Sequence, residues 1–224
     1  MKRFFNAILT LSLLAFVGCG ELVENFADYV NGTLAPGGSG NSENTGTTES
    51  TQVVYKVGDY YNVNGKKGVV FWVDESGKHG KIVSLSESSN GLLWSSDTNE
   101  QKRLIGADDK DNGANNIAVV KHISDWQSKY PAFKWCADLG EGWYLPAINE
   151  LRLFTLNASV NDAVNQTLAI KGKKINPNLY WSSTEYNYQH STGEFCALYV
   201  VMSDGKTPIG VKYFDLYVRA VSAF

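Results

Sequence analysis

The side chains able to do chemistry in this chain are few, and their spacing excludes most reactions. The three histidines, His79, His122 and His190, have no zinc-type spacing, and the cysteines do not cluster with them. Asp108-Asp109-Lys110-Asp111-Asn112-Gly113 resembles a calcium loop, yet Lys110 takes a ligand position and no Glu follows at the twelfth place. A solvated acidic loop is the better reading, so no metal and no cofactor is implied. Serine is frequent, but no Gly-x-Ser-x-Gly elbow presents it as a nucleophile. No catalytic constellation emerges, and the chain reads as a binding protein and not as an enzyme.

The best candidate for recognition is Glu185, Tyr186, Asn187, Tyr188, Gln189 and His190. Flat aromatic faces beside amide and imidazole groups form an adaptable contact surface. These residues follow Trp181-Ser182-Ser183, so a rigid strand is expected to present them as a loop. Cys136 and Cys196 form a second pair of interest. Spacing leaves open whether they are bridged or are two buried thiols, since a bridge needs Cα atoms within about 7 Å.

Three separated segments organise the rest: Gly142-Trp143-Tyr144-Leu145-Pro146 with Glu150-Leu151, Tyr180-Trp181-Ser182-Ser183-Thr184-Glu185, and Val218-Arg219-Ala220-Val221. Trp143 and Trp181 suit a junction between helix and sheet, where an indole N–H must find a partner. Glu150 and Arg219 lie in apolar surroundings where a lone charge is costly. Arg219 is therefore expected to contact Glu150 or Glu185 and lock the last strand to the centre.

The order of these segments resembles the Lcl C-terminal domain family of bacterial envelope proteins, over roughly residues 53 to 224. The resemblance implies a C-type-lectin-like fold, with Trp143, Pro146, Glu150, Trp181 and Arg219 as structural motif residues. It also implies recognition of a glycan or protein ligand at the cell surface. Lectin-like folds often join a helix to a late strand by a disulfide, which Cys136 and Cys196 would imitate. The sugar-binding triplets of calcium-dependent lectins are absent, because Asn176-Pro177-Asn178 lacks an acid and Trp181-Ser182-Ser183 replaces the second triplet.

The start of the chain sets the expected address. Lys2 and Arg3 precede a largely apolar run from Phe4 to Val17, and Gly18 stands before Cys19. This order is that of a secretory signal, and Phe16-Val17-Gly18-Cys19 resembles a lipobox. Residues 1–18 are read as a lipoprotein signal peptide and Cys19 as the lipidated residue that holds the chain to the membrane. Residues 19–52, rich in Gly, Ser, Thr and Asn, read as a flexible tether. Gly20 after Cys19 favours the bacterial outer membrane, with the folded domain expected at its outer face. The formal net charge of −3 falls further once Lys2 and Arg3 are removed, which argues against nucleic acid as a partner.

Residues 53–224 are expected to form one α+β domain with antiparallel strands flanking central helices. Val69 to Val73 and Lys81 to Leu85 read as a hairpin, with an earlier strand at Asp59 to Val63. Residues 86–113 read as a loop anchored by Trp94. Asn116 to Tyr130 and Pro131 to Leu139 read as helices, with Gly140 as a stop. Pro146 should open the next helix, in which Ile148, Leu151 and Phe154 share a buried face. Strands follow at Cys196 to Met202, Ile209 to Phe214 and Leu216 to Val221, and the first and last strands are expected to meet. Two functions fit: a lipid-anchored adhesin, or a structural envelope protein whose partner is another surface component.

Overall fold

A computed structural model describes residues 53–224. The signal segment expected over 1–18, Cys19 and the tether expected over 19–52 lie outside the described residues. The architecture is α+β, with two antiparallel sheets and the helices between them in sequence.

The first sheet begins as a meander of β1 (Tyr60–Val63), β2 (Lys66–Val73) and β3 (Gly80–Ser84). Asn64 and Gly65 join β1 to β2 with φ of 49° and 82°, the positive values that a two-residue hairpin turn requires. The last strand, β7 (Val221–Ala223), completes the order β1-β2-β3-β7. It therefore lies beside β3 and does not meet β1. Short turns make β1, β2 and β3 sequential neighbours, which leaves the outer edge of β3 for the last strand. The two ends still approach through side chains, because the Phe224 ring lies 5.2 Å from Tyr55 and 4.6 Å from Tyr61.

The second sheet is β4 (Leu179–Gln189), β5 (Phe195–Val201) and β6 (Ile209–Val211), in that order. β6 is shorter than the strand expected over Ile209 to Phe214, because the Phe214 N–H turns back to the Val211 carbonyl. Leu216 to Ala220 is extended without belonging to a strand. Its backbone bonds instead to the segment before it in sequence: Leu92 donates to Leu216, Ser88 to Val218 and Ser84 to Ala220.

The helices are α1 (Thr98–Gln101), α2 (Gly113–Lys121), α3 (Trp126–Lys129), α4 (Pro131–Ala137), α5 (Ile148–Thr155) and α6 (Ala158–Lys171). The single helix expected over Asn116 to Tyr130 is broken, because Asp125 adopts a left-handed φ of 57° between α2 and α3. Pro131 occupies the first turn of α4, where its missing N–H costs nothing. Pro146 does not open α5. Ala147 is the N-cap, and Glu150 reaches back to accept its N–H at 2.8 Å, which fixes the first turn two residues later. Ile148, Leu151 and Phe154 do share the buried face of α5. Phe154 meets Phe71 at 5.1 Å between ring centres, and each buried ring is worth about 1.5–3 kcal/mol. α6 has no counterpart among the sequence expectations. It buries only Val164 and Leu168 fully, so its apolar face is too narrow to show as a periodic pattern.

Candidate functional site

The motif residues form a buried frame. Trp181 is fully buried and its indole donates to the carbonyls of Leu92 at 2.9 Å and Phe214 at 3.2 Å. Trp94 likewise anchors its loop, donating to the Ser182 carbonyl at 3.0 Å. Glu150 holds three elements together. Its carboxylate accepts from Lys81 at 2.6 Å, the Tyr144 hydroxyl at 2.9 Å and the N–H groups of Ala147 and Gly113. Its lone pairs are thus filled from β3, from the segment before α5 and from the start of α2.

Arg219 is buried as expected, but it contacts neither Glu150 nor Glu185. One guanidinium nitrogen lies 3.6 Å from Glu87 and another donates to the Lys173 carbonyl. Glu87 also accepts from Tyr180 at 2.6 Å and pairs with Lys173 at 2.7 Å. Glu185 takes the fully buried Lys212 at 2.5 Å and the N–H groups of Ile105 and Gly106. Glu100 completes the set with Tyr130 at 2.6 Å and Arg103 at 2.6 Å. Four buried glutamates therefore pin the loops to the sheets, each satisfied by a cation together with backbone or tyrosine donors. Glu87, Glu100 and Lys212 escaped the sequence reading because each lies in a stretch that reads as loop or plain strand.

The recognition candidates are separated by this frame. Glu185 is 3 % exposed and committed to Lys212, so it is removed from any ligand-binding role. Tyr186, Asn187, Tyr188 and Gln189 are exposed, yet they belong to β4 itself and not to a loop. The turn comes afterwards, where the His190 N–H donates to Glu194 and the Gly193 N–H to His190. His190 sits on this turn with its ring 2.7 Å from Thr192, whereas His79 lies in the β2–β3 turn and His122 caps α2. The three histidines thus stand in three separate turns.

Cys136 and Cys196 are both buried free thiols, so the bridge weighed for them is not formed. Cys136 lies in α4, whereas Cys196 lies in β5, paired with Tyr186 on one side and Val211 on the other. Burial pushes the Cys136 thiol well above its ordinary range and raises Cys196 too, which leaves both poor nucleophiles. The acidic loop is internally bonded. Asp109 accepts from Asn115 at 2.7 Å and from the N–H groups of Asp111 and Asn112, and these bonds hold its carboxyl below the usual range. Among the described residues no three His, Cys, Asp or Glu side chains gather as a metal site.

Two concavities lie around the turn Gly140 to Trp143. A groove of about 660 Å³ is lined by Tyr61, Lys66, Leu139, Glu141, Trp143 and Phe224 among others. A second, of about 550 Å³, lies against the same turn and is bounded by Ile117, Lys121, Tyr144 and Ser222. Gly140 and Gly142 have φ of 125° and 78°, so this ridge needs glycine at both positions. A polar chain ties it to the first sheet: Lys66 donates to Ser222 at 2.9 Å, and Ser222 donates to the Gly142 carbonyl at 2.7 Å. Tyr144 and Val221 exchange both backbone hydrogen bonds, at 2.9 and 3.0 Å. The sequence signalled this place through Gly142-Trp143, but as packing and not as the wall between two grooves.

Residues 84–222 match the model of the Lcl C-terminal domain. The chain belongs to the Lcl C-terminal domain family. All five motif residues of this Lcl C-terminal domain, Trp143, Pro146, Glu150, Trp181 and Arg219, lie within the match, and so does the ridge between the grooves. The match begins at the last residue of β3, so β1, β2 and most of β3 precede it although they share a sheet with β7. A comparison with curated proteins finds no match.

Proposed function

We propose that this chain is a lipid-anchored binding protein of the bacterial outer membrane, an adhesin that presents a C-type-lectin-like domain to a glycan. In this reading residues 1–18 are the signal peptide, Cys19 carries the lipid and residues 19–52 hold the domain away from the bilayer. The observation that carries the proposal is the pair of grooves flanking Gly140 to Trp143, about 660 and 550 Å³. Volumes of this order match pockets for compact ligands, which span roughly 300–1,000 Å³. Lys66, Lys121 and Glu141 supply charged and hydrogen-bonding groups at the lining, beside Trp143 and Tyr144. The residues that shape the ridge fall inside the family match, which links the groove to the family's shared architecture.

A second reading is a structural envelope protein with a protein partner. It is favoured by Tyr186 and Tyr188, which are 41 % and 50 % exposed along the C-terminal end of β4. A glycan array probed with the full chain in detergent separates the two. Selective binding that Lys121→Glu weakens by about tenfold, a loss of roughly 1.4 kcal/mol, supports the groove. A blank array transfers the reading to the protein partner, and selective binding untouched by Lys121→Glu and Glu141→Lys moves the glycan site elsewhere.

A further inference from the structure

Of the six tryptophans, Trp94, Trp143 and Trp181 are buried and Trp126 and Trp135 half-buried, while Trp72 is 43 % exposed. Its exposure follows from an irregularity in β2. Val70 pairs with Ile82 and Trp72 with Lys81, so Phe71 is an extra residue with no partner of its own. Such a bulge re-aims side chains. Here it sends Phe71 into the core, 1 % exposed, and leaves Trp72 beside Lys81 on the solvent side.

Trp72, Lys81, Asp111, Asn149, Glu150 and Leu153 line an open cavity of about 210 Å³. The polar groups around it are positioned by bonds that leave capacity to spare. The Lys81 ammonium uses one donor on Glu150 at 2.6 Å and has three in all. Asn149 donates to Asp111 Oδ1 at 2.6 Å, which orients both side chains while Asp111 Oδ2 and the Asn149 amide oxygen stay available as acceptors. Glu150 is filled by its own four donors and acts only to fix Lys81.

We infer that this cavity is a binding subsite for a single neutral hexopyranose ring, stacked on Trp72 and hydrogen-bonded by Lys81, Asp111 and Asn149. A pyranose has one face of C–H groups that packs against an indole, and a rim of hydroxyls that both donate and accept. Two vicinal hydroxyls match one ammonium donor and two oxygen acceptors. The volume is below the roughly 300 Å³ at which drug-sized sites begin, which suits one ring and not an oligosaccharide. Two carboxylates against one ammonium leave the rim negative, so uronic or sulfated sugars are repelled. The subsite shares no lining residue with the grooves at Gly140 to Trp143, and it stands or falls separately from them.

The test is saturation-transfer NMR on the full chain with methyl glucoside, galactoside, mannoside and glucuronide. At least one neutral hexoside receives saturation from the protein, and the glucuronide does not. Trp72→Ala abolishes the transfer and Trp72→Phe retains part of it. Asn149→Ala weakens binding about tenfold, equivalent to roughly 1.4 kcal/mol. Lys206→Ala, between β5 and β6 and lining neither the subsite nor the grooves, leaves it unchanged. Circular dichroism checks that each variant keeps its fold. The inference is overturned by no transfer to any neutral hexoside, by transfer that survives Trp72→Ala in a folded protein, or by equal transfer to the glucuronide.

Discussion

Lys212 Nζ lies 2.5 Å from Glu185 Oε1 with neither side chain reaching solvent, and the ammonium also sits 4.8 Å from the centre of the Trp94 ring. The pair joins β4 to the residue that follows β6, and Glu185 carries the pairing onward to the N–H groups of Ile105 and Gly106. Burial works against the charged Lys212 and lowers its pKa, so its charge depends on Glu185. Removing one partner strands the other in the interior, which costs about 3–5 kcal/mol. Lys212→Met and Glu185→Gln should each lower stability by an amount of that order in urea unfolding. The double variant should lose less than the two combined, by at least about 0.5 kcal/mol. Strict additivity would show that the two charges are not coupled.

Three buried tyrosines set the response to alkali. Tyr130, Tyr144 and Tyr180 donate to Glu100, Glu150 and Glu87, and burial followed by these carboxylates raises each pKa above its ordinary value. As pH rises through about 10, the unfolded chain sheds tyrosine protons that the folded chain retains. The stability from these groups is complete below that pH and is lost progressively above it. Lys212 has the opposite sign, since its lowered pKa makes folding more favourable as pH approaches about 10.4. Three groups outweigh one, so the urea midpoint should fall as pH rises from about 10 to about 11. An unchanged midpoint would mean that the three hydroxyls ionise equally in both states.

Much of the fold was legible where side-chain pattern and turn chemistry agree. Val69 to Val73 and Lys81 onward announced the β2–β3 hairpin, and Ile148, Leu151 and Phe154 announced the buried face of α5. Other features depend on contacts that no local pattern encodes. Arg219 had two attractive acids in the motifs, yet it meets Glu87 from a segment that reads as a polar loop. Trp72 sits in an unbroken apolar run, and only the bulge at Phe71 decides that one ring is buried and the next exposed. α6 is hidden because two buried residues, Val164 and Leu168, are too few for a periodic signal. Tyr186 to Gln189 read as a loop in the sequence, whereas their place in β4 follows from pairing with β5.

Gly113 occupies a position where a side chain has no room. It is the first residue of α2, its N–H donates to Glu150 at 3.0 Å, and a Cβ added there would stand 2.3 Å from the Leu145 carbonyl oxygen. Backbone cannot rotate away as a side chain would, so Gly113→Ala must push α2 off the segment before α5. Overpacking of this kind costs about 1–3 kcal/mol. Thermal unfolding should show a drop of that size, whereas Gly106→Ala, with open space around the Cβ position, should lose only what its φ of 83° demands. Equal losses at the two positions would remove the steric explanation.

The thiols provide the last prediction. Cys136 is wholly buried in α4 and desolvation disfavours its thiolate, and Cys196 is raised for the same reason with only partial relief from Lys212. Thiolate is the reactive species, so both should resist alkylation while the domain is folded. Peptide mapping after iodoacetamide treatment should find Cys136 and Cys196 unmodified in native protein and fully modified in denaturant. Because the two are free, denaturant alone should suffice, with no reductant present. A requirement for reductant would instead reveal a bridge, which across about 60 residues would add on the order of 4 kcal/mol and demand that α4 and β5 approach within about 7 Å.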